Sequence, residues 1–250
     1  MQRFNDQVAI IAGGARGIGR GIGRRLLQEG AKVFLFDVLE EELKEAKRAF
    51  SKISLTIHVK VVDVTRENDV QQAVQQVVDE YGRLDILVNC AGIIGYTSVK
   101  IADFDSTVFD QVLNVNLKGA FLLTKHVIPP MLQQKYGRIL HFTSIGGKEG
   151  NPGMIAYAAS KSGLIGLVKG VGKEYAENGI TVNGVAPAVI ATPMNADTDP
   201  AMLQYMTDKI PMKRLGTIEE ATALACWIVS PEASFNTGFV FDLSGGRVTY

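Results

Sequence analysis

Residues 8–19 read Val8-Ala9-Ile10-Ile11-Ala12-Gly13-Gly14-Ala15-Arg16-Gly17-Ile18-Gly19. The first five are continuously apolar, as a strand buried on both faces requires. The run stops at paired glycines. From Gly17 to Gln28, Ile18, Ile22, Leu26 and Leu27 fall on one side of a helix, and Gly30 closes it in the manner of a C-terminal cap. A buried strand, a glycine turn and a helix in direct succession open a parallel α/β sheet.

The rest of the chain repeats that alternation. Strands are expected at Lys32–Phe36, Thr56–Val62, Ile86–Asn89, Arg138–Phe142, Thr181–Val185 and Phe239–Leu243. Helices are expected at Glu40–Phe50, Glu67–Glu80, Asp105–Lys135 (bent near Pro129-Pro130), Pro152–Glu177 and Ile218–Val229. The pattern predicts one doubly wound α/β domain over residues 1–250, a Rossmann-like parallel sheet of about seven strands. The one long irregular region is 188–216, read as a substrate lid.

Composition narrows the function. The 250 residues carry 26 Lys+Arg against 26 Asp+Glu, a balance with no pull toward nucleic acid or anionic membrane. Cys90 and Cys226 stand far apart in apolar runs and read as buried free thiols of a reducing compartment. Met1–Asp6 lacks the apolar core of a signal peptide, and no apolar run reaches the ~18 residues of a membrane span. A cytoplasmic protein is expected, with no metal site.

The glycine turn has a chemical reading. Gly13, Gly17 and Gly19 let a pyrophosphate approach the backbone, and the amides of Arg16, Gly17 and Ile18 at the helix start point toward it. Asp37 ends the second strand, about 20 residues past the turn, where a carboxylate accepts bonds from the adenosine ribose hydroxyls. A carboxylate there repels a 2′-phosphate and favours NAD over NADP. Arg16 cuts the other way, since it can face a phosphate. Asp63 and Val64, after the third strand, are read as neighbours of the adenine; an ordinary helix cap accounts for Asp63 equally well.

A second constellation lies in 143–161. Ser144 ends a strand-like run, a Gly/Pro-rich loop follows, and Tyr157 and Lys161 sit one helical turn apart. A free Tyr titrates near pH ~10 and is a poor base at neutrality. One ammonium about 4 Å away, at an effective dielectric of ~20, supplies about 4 kcal/mol. That suffices to make the phenol a proton-transfer group for an alcohol or a carbonyl. Tyr and Lys at this spacing also occur by chance on helices.

Taken together, these motifs resemble the short-chain dehydrogenase/reductase family over nearly the whole chain. Asn89-Cys90-Ala91-Gly92 is similar to the family's Asn-Asn-Ala-Gly, with Cys90 replacing the second Asn. Asn116, in Asn114-Val115-Asn116-Leu117-Lys118-Gly119, matches the catalytic Asn, and Ser144, Tyr157 and Lys161 match the Ser and Tyr-x-x-x-Lys. Pro187-Ala188-Val189-Ile190-Ala191-Thr192 resembles the segment after the sixth strand. Ala12 and Ala188 depart from the usual Thr and Gly. The resemblance implies that Tyr157 exchanges the proton, Lys161 lowers its pKa and bonds the nicotinamide ribose, and Ser144 orients the substrate oxygen. Asn116 holds a relay water or stabilises a helix bend through its own backbone. Asn89, Ala91, Gly92 and Pro187 join the cofactor set; Ile190 presents backbone groups to the nicotinamide carboxamide and Thr192 contacts the diphosphate.

The expected reaction is NAD-dependent interconversion of a secondary alcohol and a ketone. The small-molecule substrate is a polyol, sugar, alcohol or hydroxysteroid. Ser144, Ile94, Ile145, Glu149, Met154, Tyr157 and Met194 are the expected substrate contacts, with Lys148 and Glu149 equally readable as solvated charges. One alternative is a 3-oxoacyl-(acyl-carrier-protein) reductase docking its carrier on Lys135, Arg138 and Lys173. Another is a dinucleotide-binding regulator without turnover. Leu122, Leu123, Val127 and Ile128 on one helix, and Leu164, Ile165, Leu167, Val168 and Val171 on another, predict apolar surface covered by partner subunits. With the resemblance, this points to a homotetramer.

Overall fold

A computed structural model describes residues 2–193 and 200–250 (for 200–202 the backbone alone). Seven strands form one parallel sheet: β1 Val8–Ala12, β2 Lys32–Asp37, β3 Ile57–Val61, β4 Ile86–Asn89, β5 Gly137–Phe142, β6 Ile180–Pro187 and β7 Val240–Leu243. Their order is β3-β2-β1-β4-β5-β6-β7. The direction of winding reverses between β1 and β4, which opens a crevice at the carboxyl ends of those strands.

Nine helices are named among the described residues: α1 Gly17–Gln28, α2 Glu40–Phe50, α3 Glu67–Tyr81, α4 Ser106–Leu113, α5 Gly119–Gln134, α6 Ile145–Glu149, α7 Ile155–Glu174, α8 Pro200–Asp208 and α9 Ile218–Ile228. They cover both faces. Ile22, Leu26, Leu43, Ala221 and Ala225 pack beneath α1, α2 and α9 on one side. Val70, Val74, Val77, Leu122, Leu123 and Val127 pack beneath α3 and α5 on the other. With both faces covered, β1, β4 and β5 are buried at every position, which explains why β1 is wholly apolar and why β4 and β5 are mostly so.

Three elements differ from the sequence reading. The helix expected over Asp105–Lys135 departs from α-helical bonding at a π-turn, Asn114–Lys118, while α5 continues through Pro129 and Pro130. One inserted residue makes a π-turn, and it leaves no compositional trace. The loop expected after Ser144 contains α6, started by Ser144 Oγ, which accepts a bond from the Gly146 amide at 3.0 Å. The region read as irregular contains α8.

Leu122, Leu123, Val127 and Ile128 are buried within the chain itself, as are Leu164 and Val168. Ile165, Leu167 and Val171 are half-buried. The inference that these residues as a set need a partner's cover is therefore corrected. α5 packs on the sheet beside α3, so its leucine-bearing side is covered by the chain's own core.

Candidate active site

The glycine turn sits at the crevice. Gly13 and Gly17 have φ of +71° and +56°, a region glycine enters without strain. Close approach is the second constraint. A Cβ on Gly13 would lie 2.6 Å from the Ala91 nitrogen, and one on Gly19 would lie 2.1 Å from the Gly13 oxygen. Arg16 caps α1 with extended backbone and contributes no side-chain cap bond, and the first turn holds no acid. Side chains therefore do not cap these amides, the arrangement an anion needs. A Cβ on Gly17 would come 3.9 Å from the side chain of Thr192, so the two expected phosphate contacts face each other.

Asp37 lies at the end of β2 beside this turn. Its Oδ2 accepts from the Ala15 amide at 3.1 Å, and its Oδ1 from Val38 and Leu39 at 2.8 and 3.2 Å. The carboxylate thus ties the glycine turn to β2 while remaining half-exposed. Asp63 Oδ1 accepts from the Thr65 amide and hydroxyl at 2.9 and 2.7 Å, a turn cap one strand further out. Val64 is buried against the start of α5: a Cβ on Gly119 would lie 2.8 Å from its side chain. Ile18 and Pro187 are half-buried, at the start of α1 and the end of β6. Ile190 is buried, and bridges to Gly216 as parallel backbone.

The proton-transfer group lies across the crevice. Lys161 is 5% exposed, and its Nζ donates to the Phe142 carbonyl at 2.7 Å. Burial pushes its pKa down to about 8. Its Nζ stands 5.7 Å from the centroid of the Tyr157 ring. Burial raises the Tyr157 phenol above its ordinary value, and a hydrogen bond with Ser144 offsets part of that rise. The expectation that Lys161 holds the phenol down is not the resting arrangement: its ammonium is turned to the end of β5. Ser144 accepts from Gly146 through Oγ and keeps its own proton for the phenol or a substrate oxygen.

Asn116 is fully buried in the π-turn. Its Oδ1 accepts from the Ile93 amide at 2.8 Å; its Nδ2 donates to the Ile93 carbonyl at 2.9 Å and to Ser160 Oγ at 3.0 Å. It therefore clamps another segment's backbone rather than its own, which corrects that half of the sequence reading. Ser160 Oγ donates in turn to the Tyr157 carbonyl at 2.8 Å. A Cβ on Gly92 would lie 3.2 Å from Asn116 Oδ1 and 3.5 Å from Lys161 Nζ. Gly92, Asn116 and Lys161 thus converge within one small volume.

Among the expected substrate contacts, Ile94 and Met154 are half-buried and Ile145 is buried at the start of α6. Met194 lies outside the described residues. Glu149 is paired with Arg247 at 2.8 Å, and Lys148 Nζ donates to the Tyr250 main-chain oxygen at 2.5 Å. The C-terminal segment thus already occupies both charges, which corrects Glu149 as a free substrate contact. Ser160 was missed, as was the Phe142 carbonyl that holds Lys161. A serine packed among small helix residues carries no chemical signal, and a carbonyl carries none at all. Both thiols are free, but only Cys226 is buried; Cys90 is half-buried. Among the described residues, no group of three or more His, Cys, Asp or Glu is placed to hold a metal.

Known proteins agree with this geometry. The family model described as enoyl-(acyl carrier protein) reductase matches residues 13–247. The 2-dehydro-3-deoxy-L-rhamnonate dehydrogenase (NAD(+)) of Sphingomonas sp. is 40% identical over 248 residues, 99% of this chain and 98% of that protein. The 3-oxoacyl-(acyl-carrier-protein) reductase of Thermotoga maritima is 38% identical over 247 residues, 98% of this chain and 99% of that one. The solved structure of an NAD+-bound xylitol dehydrogenase superposes with a TM-score of 0.92 at 31% identity, covering 98% of this chain and 100% of that chain. The chain belongs to the short-chain dehydrogenase/reductase family.

Proposed function

We propose that the protein is an NAD-dependent dehydrogenase that interconverts a secondary alcohol and a ketone, with Tyr157 as the acid/base group. The observation that carries this reading is the convergence of Ser144, Tyr157, Lys161 and Asn116 on one edge of the crevice whose other edge is the glycine turn tied to Asp37. The residues fit the cofactor: uncapped amides at the start of α1 for its phosphates and a half-exposed carboxylate for its ribose. When bound, NAD supplies the hydride acceptor. The chain's own residues do the rest. The Ser144 hydroxyl orients the substrate oxygen. The Tyr157 phenol takes the proton as the alcohol is oxidised and returns it in the reverse direction. Lys161, with its pKa near 8, is able to exchange a proton at neutral pH without a large energetic cost. Asn116 locks the Ile93 segment that walls the site.

Similarity to a sugar-acid dehydrogenase and to a polyol dehydrogenase supports a small hydroxylated substrate. Similarity to a 3-oxoacyl reductase keeps that activity as the second reading. Of its expected docking residues, Lys135 and Lys173 are exposed, whereas Arg138 is 6% exposed and its guanidinium donates to the Gly137 and Gly179 carbonyls, which takes its charge out of the patch. A regulator without turnover has no need of the assembled proton-transfer group. A cytoplasmic setting is part of the reading, supported by two unpaired thiols. No helix among the described residues is long and apolar enough to cross a membrane. A closed homotetramer is also part of the reading, supported by exposed apolar side chains at Phe121, Phe235 and Phe239. A panel of sugar acids, polyols, simple secondary alcohols and 3-oxoacyl thioesters, assayed with NAD and NADP by absorbance of the reduced nicotinamide, tests the reaction. Turnover of a hydroxylated substrate with NAD is expected; turnover of the thioesters alone, with NADPH, overturns it.

A further inference from the structure

A fully buried histidine lies under the crevice and takes no part in the chemistry above. His141 is the fifth residue of β5, paired in register with Asn89 of β4. Its Nδ1 lies 3.3 Å from Asn89 Nδ2, and its Nε2 lies 3.0 Å from Thr124 Oγ1 on α5. Asn89 Oδ1 accepts from the Ala91 amide at 3.1 Å, and Thr124 Oγ1 donates to the Ala120 carbonyl at 2.7 Å.

Counting hydrogens settles the tautomer. The single Thr124 hydroxyl proton goes to Ala120, so Thr124 is an acceptor toward the ring and Nε2 carries the proton. Asn89 turns its oxygen to Ala91, so its amide hydrogens face Nδ1, which must be bare. The result is one directed chain: Ala91 N–H to Asn89, Asn89 to His141, His141 to Thr124, Thr124 to the Ala120 carbonyl. A second proton on the ring would oppose the Asn89 amide hydrogens. Burial, with the Lys161 charge a smaller contributor, pushes the imidazole pKa down to about 3, so the ring stays neutral.

The upper end of this chain is the Asn89–Gly92 turn, which separates the two halves of the site. On one side the Ala91 nitrogen lies 2.6 Å from where a Gly13 Cβ would be. On the other, Gly92 abuts Asn116 and Lys161. A small rise or rotation of the Ala91 peptide therefore moves the glycine turn against the proton-transfer group.

We propose that His141 is a positioning residue for the cofactor: as a neutral acceptor it fixes Asn89, and through it the Ala91–Gly92 peptide against which the glycine turn rests. This rests on the NAD reading given above. Calorimetric titration of NAD into the full-length protein tests the two separately. If NAD does not bind the unmodified protein, the cofactor reading fails before His141 is at issue.

If it binds, His141→Asn and His141→Leu decide the matter. Both side chains branch at Cγ and carry no ring, and only Asn places an acceptor oxygen where Nδ1 stands. His141→Asn is expected to hold the NAD Kd within about threefold, while His141→Leu weakens it about tenfold or more. A structural role alone lowers the melting temperature of both without separating their Kd values. Equal Kd values for the two variants, whether both normal or both weakened, overturn the proposal. Should His141→Leu fail to fold, His141→Gln replaces it, since its longer amide reaches Thr124 and leaves Asn89 without an acceptor. The same loss is then expected, and an unchanged Kd overturns the proposal.

Discussion

Lys161 Nζ donates to the carbonyl of Phe142 at 2.7 Å, the last residue of β5, and not to the phenol one helical turn away. One carbonyl does not compensate a buried ammonium, so the pKa falls to about 8 from an ordinary 10.5. The site thus carries a group that destabilises the fold for the sake of its chemistry.

The sign of that cost follows from linkage. Between pH 8 and 10.5 the unfolded chain binds the Lys161 proton and the folded chain does not, so this group makes stability rise with pH across that window. Below pH 8 the full penalty applies, about 3 kcal/mol at most. Lys161→Met is therefore expected to be more stable than the parent at pH 7 and to lose the upward slope above pH 8. Urea unfolding at pH 7, 8.5 and 10 checks both. A variant less stable than the parent at pH 7 contradicts the assignment.

Tyr157→Phe keeps the ring and removes the transferable proton. With general acid/base catalysis contributing roughly 10²–10⁴-fold, kcat is expected to fall by about 10³. The NAD Kd is expected to stay within about threefold, because the glycine turn and Asp37 lie across the crevice. Once a substrate is in hand, steady-state kinetics and calorimetry on the same preparation read the two effects. Retained turnover removes Tyr157 from the mechanism.

How much of this was legible beforehand depends on where the information lay. β1, β4 and β5 are covered on both faces, so their largely apolar composition announced them, and the motifs place Asp37 at the end of β2 and Tyr157 near the start of α7. The α6 helix was not legible. Its sequence, Ile145-Gly146-Gly147-Lys148-Glu149, has poor helix propensity. It is held by the Ser144 cap and by packing so close that a Cβ on Gly147 would lie 2.7 Å from the Lys161 carbonyl carbon. Arg138 looked like surface charge because nothing local says that its guanidinium turns back onto the Gly137 and Gly179 carbonyls. His141 did leave a signal. A polar ring between Leu140 and Phe142 in a continuously buried strand must find partners, though its sequence does not say which.

Cofactor selectivity turns on Asp37. Its two oxygens hold three amides and still face the crevice, so a ribose diol adds bonds whereas a 2′-phosphate meets a like charge. NAD is expected to bind at least tenfold more tightly than NADP, a difference of about 1.4 kcal/mol. Asp37→Ser is expected to narrow that gap mainly by improving NADP, at some loss of stability, since the Ala15 amide loses its acceptor. Paired calorimetric titrations measure it. Tighter NADP binding by the unmodified protein refutes the role of this carboxylate.

The surface that bears on assembly is narrower than the sequence suggested, and that makes it easier to test. On α5 the core-facing leucines are covered by the chain, but Phe121 is 49% exposed. Phe121, Leu113, Leu117 and Leu167 line an open groove of about 840 Å³. Beside it, Cβ atoms built on Gly166 and Gly170 of α7 would meet nothing within 4 Å, so that stretch of α7 is smooth enough for another helix to approach closely. A second apolar patch, Phe235 and Phe239, lies at the β7 edge of the sheet. Two separate patches on one chain suit two different two-fold contacts, and two such contacts close a tetramer. Light scattering coupled to size exclusion at micromolar concentration is expected to give four times 27.1 kDa. Phe121→Glu places a charge in the α5 groove only, so the expected product is a dimer that keeps the β7 contact. A parent mass of one chain sinks the assembly; a Phe121→Glu tetramer moves it off the α5 groove.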